Sequence, residues 1–187
     1  MITYDYCLKD HAMGLLHELI NKKLYHYRAD PFVFSNYVVD NVSLFVENDI
    51  YQITVPLVVM DYFGSNEEVS ILEFDASDSR HVGSALKNVE QIDVHINNTI
   101  RSISVVNEIQ RGYRRDVIYQ ELKITRGIIF HFLDSELSFE KGMPFSEIIY
   151  INRGYNLIDK FHSVTRFSEG WKPNESGICT REIITLQ

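Results

Sequence analysis

The sequence predicts an α+β fold: a single domain over residues 1–187, dominated by antiparallel β-sheet built from meander hairpins, with an N-terminal helix and one or two short helices. Three observations lead there. Apolar and polar residues alternate over long stretches beyond residue 40, the period of half-buried strands. Leucines recur at three-to-four spacing only near the N-terminus. At 187 residues and 45% apolar composition the chain suffices for one core, and no Gly/Pro/Ser-rich tract divides it.

Leu8, Leu15, Leu16, Leu19 and Leu24, with polar residues between them, predict a helix from Lys9 to Tyr27, capped by Asp10 and ended before Pro31. The stretch NVSLFVENDIYQITV then reads as a hairpin with Asn48-Asp49 at its turn, setting Val46 beside Tyr51, Leu44 beside Ile53 and Val42 beside Val55. The chain continues through PLVVMDY, turns at Phe63-Gly64-Ser65-Asn66 and returns as VSILEFDA, pairing Val55 with Phe74 and Leu57 with Leu72. One face of these strands is apolar. The other carries Glu47, Gln52, Thr54, Glu73 and Asp75 among Phe45, Ile50, Val58 and Ile71.

Residues 80–111 satisfy both periods. Val89, Ile92, Ile96, Ile100, Ile103 and Val106 fit a helical stripe, whereas β-branched density and the INN turn signal favour strands from Ile100 onward, so a helix is expected near Ser84–Gln91 and strands after it. Between Val117 and Leu133, Ile118, Leu122, Ile124, Ile128, Phe130 and Phe132 share parity and predict one long strand. A turn at Asp134-Ser135 sets Phe132 against Leu137 and Phe130 against Phe139. SEIIYINRG is a further strand, YNLIDKFHS a short helix and CTREIITLQ a closing strand.

Charge divides the chain. Residues 1–100 hold 15 acids and 6 bases, and residues 101–187 hold 11 acids and 12 bases. From Ala29 to Ser79 there is no Lys or Arg against ten Asp and Glu. So acidic a half repels nucleic acid, and the basic knot RGYRR at Arg111–Arg115 reads as a solvated turn. No stretch approaches the length of apolar sequence that spans a membrane, so a cytoplasmic protein without membrane contact is expected. Cys7 and Cys179, at opposite ends, suit small core residues rather than a disulfide framework or a zinc site.

Phosphate-binding patterns such as GxxxxGK[ST] and GxGxxG are absent, as is GxSxG. In HELIN, Asn21 stands where a zinc-protease helix has its second His, so neither a metal nor any other cofactor is expected. The candidate for chemistry is the hairpin IIFHFLDSELSFEK, whose polar face brings His131 opposite Ser138, with Glu136 and Glu140 near, the ingredients of general-base catalysis. The candidate for partner binding is the acidic face, with Phe45, Ile50 and Ile71 supplying contact area and Glu47, Glu73 and Asp75 steering a basic protein. The leading expectation is therefore an inhibitor of a basic partner, such as a nuclease or toxin, in the manner of immunity proteins or phage anti-defence proteins. One alternative is a small-molecule-binding protein or hydrolase using the His131 hairpin and the loop around Trp171, and another is a subunit of a homo-oligomer.

Overall fold

Asn21 sets how far the N-terminal helix runs. Its backbone is left-handed, with φ of 68°, so the helix cannot pass through it. In the computed structural model, which describes residues 1–32, 35–78 and 84–187, helix α1 spans only Asp10–Glu18. The Leu24 end of the expected helix belongs instead to a strand, because the alternating KLYHYRA segment pairs on both edges. Lys9 occupies the capping position of α1 and Asp10 is an acid of its first turn.

The strands are β1 (Ile2–Tyr6), β2 (Lys23–Ala29), β3 (Tyr37–Val39), β4 (Asn41–Val46), β5 (Asp49–Thr54), β6 (Leu57–Tyr62), β7 (Ser65–Ser70), β8 (Glu73–Ala76), β9 (Ile92–Thr99), β10 (Ser102–Arg114), β11 (Val117–His131), β12 (Glu136–Lys141), β13 (Ile148–Gly154) and β14 (Glu175–Leu186). Two short 3-10 turns, Leu157–Lys160 and Val164–Ser168, lie between the last two strands. The architecture is α+β and mostly antiparallel sheet. Strands β14-β10-β11-β12-β13-β3 form one sheet, to which β1 adds in parallel along β11; β8-β5-β4-β2-β9 form a second, and β6-β7 a separate hairpin.

The main core lies between the two larger sheets. Leu24, Leu44, Ile53 and Phe74 from one meet Ile103, Ile128, Phe130 and Phe139 from the other, and Leu16 of α1 and Leu19 just after it add to them. All of these are essentially inaccessible to water.

Both expected hairpins form, each two residues out of register. Leu44 faces Tyr51 and Val42 faces Ile53, because Glu47 itself turns into the left-handed region and the loop closes over Glu47-Asn48. In the other, Phe130 faces Leu137 and His131 faces Glu136, because Phe132–Ser135 opens into a wider loop held by a bond from Phe132 N to Ser135 O. The continuous three-strand meander is interrupted. Pro56 has no N–H to continue a ladder, so the chain leaves as the β6-β7 hairpin, returns where Ile71 N bonds Pro56 O, and pairs Ile53, not Val55, with Phe74.

Within the ambiguous stretch, residues 80–83 lie outside the described residues. The helix near Ser84–Gln91 does not form: Ser84 Oγ accepts from Leu86 N in a turn, and Ile92 begins a strand on β2. Parity misled in β11. Val106 faces Gly127 while Asn107 faces Thr125, so Arg126 is an extra residue in a β-bulge, and alternation switches sides there. Consequently Ile128 and Phe130 enter the main core, whereas Leu122 and Ile124 face the opposite way, onto Met60 and Val69 of β6-β7.

Candidate binding site

The bulge turns Arg126 onto the outer face of the large sheet, away from the main core. There its guanidinium meets Glu140 of β12, with Nε and Nη2 at 3.0 and 2.9 Å from Oε1, and Nη1 donates to Gly142 O at 2.8 Å. On the other side lies Glu108 of β10 at 3.7 Å, whose Oε1 accepts from Arg181 of β14 at 3.0 Å. Glu140 is 0% exposed and Arg126 and Glu108 are each 6% exposed in their side chains. Taking such charges out of water costs several kcal/mol per ion by general estimate, offset only by dense pairing of this kind.

His162 is fixed to the same layer. Its N–H donates to Glu140 Oε1 at 2.8 Å and its Nδ1 lies 3.1 Å from Oε2, while its carbonyl accepts from Arg181 Nη2. With Nδ1–H given to Glu140, Nε2 is the nitrogen left to accept a hydrogen bond. Gly127 makes this approach possible: a Cβ there would lie 2.8 Å from the Phe161 ring, which covers the strand just before His162. Behind the layer, Lys141 is fully buried with Ser70 Oγ at 3.2 Å, and burial, then repulsion by Arg126, lowers its ammonium pKa to about 7.

An aromatic wall rises beside these charges. Gly112 and Gly177 are partners on β10 and β14, and together they leave a patch of bare backbone. Phe63 lies on Gly112 and the Trp171 indole on Gly177, each where a Cβ would collide with it. Phe63, Phe167 and Trp171 then meet edge to face, with centroids 5.1 to 5.4 Å apart, and Trp171 Nε1 donates to Phe167 O at 2.6 Å. Tyr62 joins the wall and donates its hydroxyl to Gln110 at 3.1 Å. Between the wall and the charged layer is a cavity of about 390 Å³, into which Glu108, Gln110, Arg126, His162, Phe167 and Trp171 face, among others.

Of the residues singled out in the sequence for chemistry, Glu140 belongs to this site. His131 and Glu136 meet elsewhere on the same outer face. His131 Nδ1 is 3.1 Å from Glu136 Oε1, but its Nε2 meets Ser104 Oγ at 2.8 Å rather than Ser138, whose hydroxyl is buried without a hydrogen-bond partner. The two-residue register shift moved Ser138 opposite Ile129. Ser104, His131 and Glu136 stand in the order of a hydrolase triad. Yet Ser104 lies within β10, paired on both sides and 6% exposed, so it has no neighbouring oxyanion donors of the kind a turn or helix start supplies.

The partner-binding residues divide. Phe45, Ile50, Glu73 and Asp75 share the outer face of the five-stranded sheet. Phe45 is covered by its own chain, with the His26 ring stacked at 4.2 Å and the Arg28 guanidinium at 4.9 Å, and Arg28 in turn pairs with Asp93 at 2.6 Å. Glu47 sits in the turn, where its carboxylate accepts from Lys23 N at 2.7 Å, and Ile71 packs with the β6-β7 cluster. Two of the three arginines of the basic knot are paired, Arg111 with Glu121 and Arg114 with Glu175. Neither cysteine is a core residue. Both are half-buried, and burial first, then Asp5 for Cys7 and Glu108 for Cys179, pushes each thiol up to about 12.

Glu108, Arg126, His162, Tyr62 and Phe63 were not legible as a site. The available signals were Arg126 within a same-parity series of apolar residues, and glycines at 112 and 177 within strands, which mark close approach. Compared with protein-family models, curated proteins and solved structures, the chain matches none of them.

Proposed function

We propose that this chain binds a small organic molecule in the cavity under the Trp171 loop. One observation carries the reading: an aromatic wall faces, across about 390 Å³, a layer of deeply buried Glu and Arg side chains with the half-buried His162 beside them. Sites for small ligands have this size and this mixture, mostly apolar surface with a few fixed polar groups. A layer so costly to bury is better accounted for by recognition than by stability. Trp171 is the chain's single tryptophan, so its fluorescence reports on this cavity alone. A metabolite library screened by Trp171 emission and thermal shift should yield saturable quenching with a matching rise in Tm. A library that moves neither would sink the reading.

A second reading, the inhibitor of a basic protein, draws on a different surface. Glu67, Glu68, Glu73 and Asp75 are all exposed on β7 and β8, with no Lys or Arg between Ala29 and Ser79. Such a field would steer a basic partner, a cytoplasmic nuclease or toxin among them. Salt-sensitive retention of a basic protein on the immobilised chain supports it, and the absence of any such retention counts against it.

A further inference from the structure

The charges around the cavity do not cancel, and their surplus indicates what the ligand carries. Three carboxylates are each matched by an arginine: Glu140 by Arg126, Glu108 by Arg181 and Glu175 by Arg114. What remains is Arg166 and Lys172 at the mouth, against Glu169 alone. Neither of these two cations has a carboxylate within salt-bridge distance among the described residues. In a chain of net charge −8 this is a local excess of positive charge.

The excess is placed in register with the aromatic wall. Arg166 precedes Phe167 and Lys172 follows Trp171 in the chain, and both cations line the cavity together with those two rings. Deeper in, Gln110 and the open Nε2 of His162 offer a donor and an acceptor where a ring edge would end. A cationic ligand would gain from the aromatic faces but would meet uncompensated Arg and Lys, and a neutral one would leave them without use.

We propose that the ligand is a flat aromatic molecule bearing one anionic group, a carboxylate or phosphate, with its ring along Phe63, Phe167 and Trp171 and its charge at the mouth between Arg166 and Lys172. This rests on the cavity being a binding site. Arg166 and Lys172 are exposed, so reversing them leaves the fold intact.

The test is calorimetric titration of the full chain with four naphthalene probes: 2-naphthoate, 2-naphthyl phosphate, 2-naphthylmethanol and 2-naphthylmethylammonium. At least one anion should bind about tenfold more tightly than the alcohol, and the ammonium more weakly than either. Which anion binds tighter separates carboxylate from phosphate recognition. In the Arg166→Glu/Lys172→Glu double variant the preference for the anion should disappear while alcohol binding stays. An alcohol equal to both anions, or an ammonium that binds tightest, overturns the charge assignment and leaves the cavity reading standing. Silence from all four probes overturns both.

Discussion

Gly112 and Gly177 face each other on adjacent strands, and the rings of Phe63 and Trp171 occupy the space their side chains would have filled. The pair therefore holds one wall of the cavity in place from beneath. In Gly177→Ala the indole must move, since the added Cβ would stand inside it. We expect a loss of about 1–3 kcal/mol, the range for overpacking a close contact, together with a red shift of Trp171 emission. Urea denaturation and emission spectra of the same samples check this, and an unshifted spectrum would show that the indole is not seated on Gly177.

Lys141 makes stability depend on pH in a defined window. Its folded pKa is about 7, below the ordinary value of 10.5, so between those values the unfolded chain holds more protons than the folded one. Stability should accordingly rise with pH from about 7, and the penalty of a buried ammonium is fully present below that. The raised thiol pKa values of Cys7 and Cys179 act in the opposite direction above about 9, which confines the clean window to pH 7–9. Lys141→Met should flatten the rise in Tm across this window. A slope that persists in the variant assigns it to another group.

The core register has its own check. Phe74 and Phe130 are 3% and 0% exposed, so truncating either to Ala should cost about 3–5 kcal/mol. His131→Ala, at a half-exposed position, should cost clearly less, and no His131-dependent hydrolysis should be found in the parent. Esterase turnover that vanishes in His131→Ala would show that Ser104 finds oxyanion donors after all.

Glu73 and Asp75 are exposed at the edge of the five-stranded sheet, and the His11 ring, 3.4 Å from Asp75, has a side chain that is itself 76% exposed. The double change Glu73→Lys/Asp75→Lys should leave Tm nearly unchanged, because exposed ion pairs contribute little. It should slow association with any basic partner, an effect that weakens as salt rises. Unfolding of the double variant would make these acids structural.

The α+β class, the hairpins around residues 47 and 134 and the buried set of most strands were legible in the amino-acid pattern, because alternation reports on faces and a register error of two residues preserves them. The pattern also marked Trp171 and Glu140. The rest depends on long-range packing. A bulge at Arg126 costs one residue and leaves no mark in a run of shared parity, yet it sends Leu122 and Ile128 to opposite faces and brings Arg126 to Glu140. Glu108 alternates with Ile109 as a solvent-facing residue would, and Arg126 stands at the parity of Ile124 and Ile128; both are buried because the loop carrying His162, Phe167 and Trp171 folds back over them. That return is set by long-range contacts with Gly112, Gly127 and Gly177, so no local window of sequence contains the site.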